Sequence, residues 1–246
     1  MKKTRLRLFL FLLVGAGALG LVGLVVLRSL VVHTWRIPSS SMYPAFNRGD
    51  VVAGLQWPYR SAQAAGEAIR RGEVVIFSHP EENRDYLKRV VGLPGDTVEV
   101  QAMGDVLVNG VLLERCLLGP WPDDERQQVQ SMTAFLETQA DRRYIVLQDL
   151  SAPRQPSRTV VPPGQVFVMG DNRDNAWDSR FWGTVPFERL RARASRIVFS
   201  GANSAVWKKP RLGHQVDASP LVPASMEAAL KRCQDTPIDG AAGYAE

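Results

Sequence analysis

Histidine, cysteine and concentrated charge are what this 246-residue chain has least of, with three histidines and two cysteines in all. None of His33, His79 and His214 stands in a recognisable catalytic context. Neither G-x-S-x-G nor H-E-x-x-H occurs, so a histidine-based serine triad and a helix-borne zinc protease both lack support. Cys116 and Cys233 show no C-x-x-C or Cys/His ligand spacing, so no metal and no cofactor is expected. Whether the two thiols pair stays open, because spacing in the chain does not fix the distance between their Cα atoms. Lys and Arg outnumber Asp and Glu 30 to 25, yet they are spread along the chain instead of forming a basic stripe. That distribution speaks against a nucleic-acid partner. No internal repeat is present, and the length suits one core, alone or with a small appended subdomain.

Long apolar runs are also missing, with one exception. Leu8 to Leu27 is uncharged and matches the ~20 residues that a helix needs to cross a bilayer. Lys2, Lys3, Arg5 and Arg7 precede it, so the positive-inside bias places residues 1–7 in the cytoplasm and everything after Arg28 across the membrane. A cleaved leader is the alternative reading, but its small-residue site, Ala16-Gly17-Ala18, lies inside the apolar run instead of after it. Gly15, Gly17 and Gly20 satisfy G-x-G-x-x-G with no strand before them, which suits close helix contact better than a dinucleotide.

From Ser29 onward, short apolar runs alternate with turn residues. Val74–Phe77, Lys88–Val91, Tyr144–Leu147 and Val166–Met169 are rich in β-branched and aromatic side chains and predict strands. Asn109-Gly110 between two apolar runs predicts a type I′ hairpin over Asp105–Leu113. Helices are expected only around Asp123–Glu137 and, behind Pro223, over Ala224–Cys233. Beyond Ser204 the chain carries no motif and suggests a peripheral extension or loosely ordered tail.

The chemistry-bearing residues must come from what remains. Ser39, Ser40 and Ser41 stand between Pro38 and Pro44, which restrict the backbone around them. A serine hydroxyl needs a base to take its proton, and with histidine scarce a lysine is the other candidate, because burial disfavours its charged form. Lys88, in a strand-like stretch, fits best. Taken separately, the serines read as a polar linker and the lysine as a water-facing strand residue.

Three segments together change that reading: Pro38-Ser39-Ser40-Ser41-Met42-Tyr43-Pro44, Tyr86-Leu87-Lys88-Arg89-Val90-Val91-Gly92-Leu93-Pro94-Gly95-Asp96, and Gly170-Asp171-Asn172-Arg173-Asp174-Asn175-Ala176-Trp177-Asp178-Ser179-Arg180-Phe181-Trp182-Gly183. In this order, with Gly49-Asp50 and Arg71-Gly72-Glu73 between, they resemble the bacterial type I signal peptidases from about Arg28 to Ser200. The resemblance implies a mainly β fold: an N-terminal transmembrane helix followed by an extracytoplasmic antiparallel β domain with a smaller β subdomain. The corresponding divisions are 1–7, 8–27, 28–203 and 204–246.

The resemblance further implies Ser41 as nucleophile, Lys88 as general base and the Ser39 hydroxyl as an oxyanion donor beside the Ser41 N–H. Trp35, Ile37, Pro38, Tyr86 and Leu87 fall on substrate-wall positions that admit small residues, often Ala-x-Ala. The backbone of Asp85–Leu87 is placed to pair with an extended substrate. Asp178 and Arg180 would form a supporting ion pair, and Asn175 would help hold the site. Ser40 has no catalytic counterpart and reads as a spacer. Many members carry a serine where this chain has Ala176, which leaves Ser179 or a water to orient Lys88. The implied partners are exported preproteins and the lipid bilayer, and the implied place is a bacterial plasma membrane. The sequence leaves the oligomeric state open. Two rivals remain: a specialised leader peptidase for pilus or conjugation components, and a non-catalytic tethered β domain that binds exported chains.

Overall fold

The computed structural model describes residues 14–15, 17–21, 23, 32–56, 59, 61–82, 84–200, 213, 215 and 220–235. Most of the predicted membrane run therefore lies outside the described residues. Those of it that are described, Val14, Gly15, 17–21 and Gly23, are helical and exposed. Among the described residues no helix is long and apolar enough to cross a membrane. Gly15, Gly17 and Gly20 have open space where a side chain would stand. His214 is also outside the described residues.

The fold is mainly antiparallel β. One sheet holds seven strands in the order β1-β2-β14-β3-β4-β12-β13. These are β1 (Val32–Arg36), β2 (Val51–Leu55), β3 (Val74–Ser78), β4 (Asp85–Gly92), β12 (Gln165–Met169), β13 (Val185–Pro186) and β14 (Leu190–Phe199). A second sheet has the order β11-β5-β6-β7, from β5 (Thr97–Val100), β6 (Val106–Val108), β7 (Val111–Leu112) and β11 (Ser157–Val160). A third has the order β10-β9-β8, from β8 (Glu114–Pro120), β9 (Thr133–Gln139) and β10 (Arg142–Gln148). Short helices α1 (Ala62–Ala68), α2 (Ser179–Trp182) and α3 (Glu227–Asp235) lie among them.

The four predicted strands are β3, the buried part of β4, β10 and β12. Continuous apolar character is what a strand covered on both faces requires, and every residue of β3 is buried. The predicted hairpin is β6–β7, with Asn109 at φ 55° and Gly110 at φ 79°. Positive φ at both central residues is the type I′ requirement.

The helix expected over Asp123–Glu137 does not form. A single 3-10 turn covers Glu125–Gln127, Gln128 and Ser131 take positive φ, and β9 begins at Thr133. Pairing with both β8 and β10 buries Ala134, Leu136, Glu137 and Gln139 of β9 and outweighs the local helix preference of its Gln-rich approach.

The tail reading also changes. Helix α3 follows a 3-10 turn at Ala224–Met226, and Met226, Ala229, Leu230 and Cys233 are buried in one cluster with Trp121, Leu136 and Leu147. Cys233 is disulfide-bonded to Cys116 of β8, with Cα atoms 5.7 Å apart. The bond that the sequence left open is therefore present, and it fastens this end of the chain to the third sheet.

Candidate active site

Two strands frame the site. β4 runs between β3 and β12, but its partners change along its length: Asp85 to Arg89 pair with Ser78 to Val74 of β3, whereas β12 reaches only Arg89, Val90 and Gly92. Among the described residues, Asp85–Lys88 therefore has a strand on one side only. Facing that open side is the end of β1 and the turn after it. The space between them is a cleft of about 440 Å³. Trp35, Ile37, Pro38, Ser39, Ser41, Tyr86, Leu87, Lys88 and Asn175 all line it. Asp178 and Arg180 stand behind it.

Ser41 sits in a tight turn after Pro38. Tyr43 N–H donates to Ser40 O at 3.0 Å and Phe46 N–H to Met42 O at 2.9 Å, and Asn172 N–H donates to Ser41 O at 3.1 Å. Gly170 permits this closeness, since a Cβ there would stand 2.5 Å from Ser41 O and 2.3 Å from the Ala176 methyl. Lys88 is 3% exposed. Its Nζ donates to Ser41 Oγ at 2.7 Å and to Leu87 O at 3.1 Å. The hydroxyls of Ser39 and Ser41 lie 3.2 Å apart.

Burial pushes the Lys88 ammonium down to about 8; Asp178 and Asp171 pull it upward, and Arg180 adds to the fall. Desolvation wins because the charged form loses its water, while neither carboxylate makes a direct bond to Nζ. An amine so placed is neutral in a useful fraction near neutral pH and lies within hydrogen-bond reach of a hydroxyl. That is the geometry general-base activation of an oxygen nucleophile needs.

The third sequence segment closes the site from behind. Asp178 receives Arg180 Nε and Nη2, both at 2.8 Å, and the Gly170 N–H at 2.8 Å. Arg180 Nη2 also donates to Arg173 O at 2.6 Å. Ser179 does not take up Lys88: its hydroxyl accepts the Val168 N–H of β12 at 3.0 Å. The Leu87 carbonyl is the oxygen that shares Nζ with Ser41.

Several contacts around the site carried no sequence signal, most of them because the partners are remote in the chain. Ser40, read as a spacer, is buried and accepts Asn175 Nδ2 at 2.9 Å. Trp35 Nε1 donates to Asp85 Oδ2 at 2.8 Å, joining the two walls of the cleft; Gly54 leaves room for its ring, since a Cβ there would stand 2.6 Å from it. Trp177 adds to the rim and stacks on Phe181, with ring centroids 4.6 Å apart. Arg89, next to the lysine, makes a buried two-pronged pair with Asp171 at 2.7 and 2.6 Å. Arg173 pairs with Glu137 of β9, and Glu137 also accepts the Tyr144 hydroxyl at 2.9 Å. His79 is buried between Tyr86 and Trp182, away from the serine turn's contacts.

A mainly β chain with a buried lysine amine against a serine hydroxyl in an apolar cleft has the equipment of a peptidase that works without histidine. Residues 6–199 match the family model described as signal peptidase, peptidase S26. Signal peptidase I of Pseudomonas aeruginosa is 36% identical over 196 residues, covering 74% of this chain and 67% of its own. Signal peptidase I of Pseudomonas fluorescens is 32% identical over 211 residues, 77% of this chain and 70% of its own. That of Aquifex aeolicus is 29% identical over 232 residues, 82% and 85%. The chain belongs to the signal peptidase family, peptidase S26, and is a peptidase.

Proposed function

We propose that this protein is a membrane-anchored endopeptidase that removes leader peptides from exported preproteins, with Ser41 as nucleophile and Lys88 as general base. The contact of 2.7 Å between Lys88 Nζ and Ser41 Oγ at the cleft floor carries this reading. With Lys88 neutral, the hydroxyl donates to the amine across that same contact. Ser41 Oγ attacks the scissile carbonyl as Nζ takes its proton, and the Ser41 N–H with the Ser39 hydroxyl receives the developing oxyanion. Lys88 then returns the proton to the departing amine. A water, deprotonated in turn by Lys88, attacks the acyl carbonyl, and Lys88 passes that proton to Ser41 Oγ as the acyl bond breaks, which restores hydroxyl and amine.

The substrate lies extended along Asp85–Leu87 and adds a strand to the open side of β4. Trp35, Ile37, Pro38, Tyr86 and Leu87 leave shallow apolar room, so small residues before the cut are accepted and large ones are rejected by clash. Asp178–Arg180 and Asn175 act as supports that keep the loop behind the nucleophile in place. Residues 8–27 anchor the chain in a bacterial plasma membrane with 1–7 cytoplasmic, residues 28–203 form the extracytoplasmic peptidase part, and 204–246 an extension. An anchor shared with the leader's own apolar helix raises the effective concentration of the cleavage site.

The test is cleavage of a purified preprotein with an Ala-x-Ala site by the full-length protein in detergent or lipid. Wild type is expected to cut at that site, and Ser41→Ala and Lys88→Ala to lose activity. Activity surviving in Ser41→Ala overturns the mechanism. A wild type that binds preproteins without cutting them overturns the leader-peptidase reading.

A further inference from the structure

Ser40 stands between the two serines given parts in the chemistry, and it is 3% exposed. Three bonds converge on it. Its carbonyl accepts Tyr43 N–H at 3.0 Å and Asn172 Nδ2 at 3.3 Å. Its hydroxyl accepts Nδ2 of Asn175, 135 residues away, at 2.9 Å. With the bond from Asn172 N–H to Ser41 O, the nucleophile turn is tied to residues 172–175 at three points. Only the Ser40–Asn175 tie joins two side chains. The others use backbone atoms of the turn and survive any side-chain replacement in it.

We propose that Ser40 is a positioning residue for cleavage: through Asn175 it sets the turn so that Ser41 Oγ stays within reach of Lys88 and beside Ser39. This rests on the Ser41/Lys88 reading. Asn175 itself lines the cleft, so the bond has a second effect. It satisfies one donor of the amide and fixes how that side chain stands in the cleft. Without the Ser40 hydroxyl, that N–H is left to find another acceptor beside the nucleophile. A small displacement at a reacting atom is costly, with ~1 Å worth up to about a hundredfold in rate.

Steady-state cleavage of an Ala-x-Ala preprotein by full-length wild type, Ser40→Ala, Asn175→Ala, the double variant and Ser40→Thr tests this. The expected results are a kcat about tenfold lower for Ser40→Ala, with KM within about twofold, because the wall residues are untouched. The double variant should be no worse than the poorer single one. Ser40→Thr, which keeps a hydroxyl, should recover most of the loss. The pH at which the acid limb of kcat/KM bends should not move, since Lys88 keeps its surroundings. A wild-type kcat in Ser40→Ala, strict additivity in the double variant, or a loss confined to KM would each overturn the proposal.

Ser41→Ala run alongside separates the two readings. If it is dead while Ser40→Ala equals wild type, only the role of Ser40 falls; if Ser41→Ala still cuts, both fall. Should no preprotein be cut, alkylation of the thiol in Ser41→Cys by iodoacetamide reads the same geometry. A rate lowered severalfold by adding Ser40→Ala supports the positioning role, and an unchanged rate overturns it.

Discussion

Replacing Lys88 by methionine should make the protein more stable while removing its activity, and the gain should vanish as pH rises. Methionine matches the lysine stem in length and fills the same space. In the native protein the amine is brought from 10.5 to about 8 by burial. At about 1.4 kcal/mol per pKa unit this is a penalty of about 3 kcal/mol. Below pH 8 lysine is protonated in both states and the penalty stands in full. Between pH 8 and 10.5 the unfolded chain still holds a proton that the native chain has released, so wild-type stability rises relative to the variant. Above 10.5 both are neutral and the penalty is gone. The methionine variant loses the donor to Ser41 Oγ and Leu87 O, which costs about 1 kcal/mol. The net expectation is a variant about 2 kcal/mol more stable at pH 7 and about 1 kcal/mol less stable near pH 10.5. Burial also raises the Tyr59 and Tyr144 phenols, but both tyrosines are present in each protein and cancel in the difference. Urea unfolding of the full-length proteins in detergent, followed by tryptophan fluorescence from pH 7 to 10.5, measures it. A difference that stays constant with pH, or a variant less stable at pH 7, would refute a lysine whose charged form is penalised by burial.

The same shift gives wild-type kcat/KM an acid limb, rising about tenfold per pH unit up to about pH 8, where stopped assays should show it bend. Asp171→Ala strands the buried guanidinium of Arg89 and should cost about 3–5 kcal/mol, read as a fall in urea midpoint. Reducing the Cys116–Cys233 bond, or replacing both cysteines by serine, reopens a separation of 117 residues and should cost about 3–5 kcal/mol in the same measurement. Trp35→Phe removes the indole N–H bond to Asp85 across the cleft mouth. That bond is exposed, so stability should change by less than about 0.5 kcal/mol while KM for a preprotein changes severalfold.

Local chemistry was legible in the sequence, and long-range partnership was not. The hairpin at Asn109-Gly110 needs nothing beyond its own backbone angles, and β3 needs only a run of apolar β-formers. The Asp123–Glu137 segment failed as a helix because its structure is decided by β8 and β10, not by its own composition. Met226, Ala229, Leu230 and Cys233 recur at helical spacing, so α3 could be read. The cluster that receives it lies about a hundred residues earlier, so the docking could not. At the site, the resemblance of three segments to the signal peptidases placed Ser39, Ser41 and Lys88 together, where their residue types alone did not. Ser40 looked idle because its bond is to a side chain 135 positions on, and Ser179 looked available because its bond to Val168 is invisible without the fold.

The Cys116–Cys233 bond changes what a cut in the chain means. It turns the sequence into an open arm joined to a covalent ring. Ser41 and Lys88 belong to the arm, whereas Asn175, Asp178 and Arg180 belong to the ring. A single nick by another protease anywhere between Leu117 and Arg232 opens the ring without parting the molecule. The hydroxyl and amine then stay tethered to the residues that support them. Such a nicked protein should run as one species without reductant and as two with it. A peptidase exposed to other proteases thereby gains tolerance of surface damage from a link that takes no part in its chemistry.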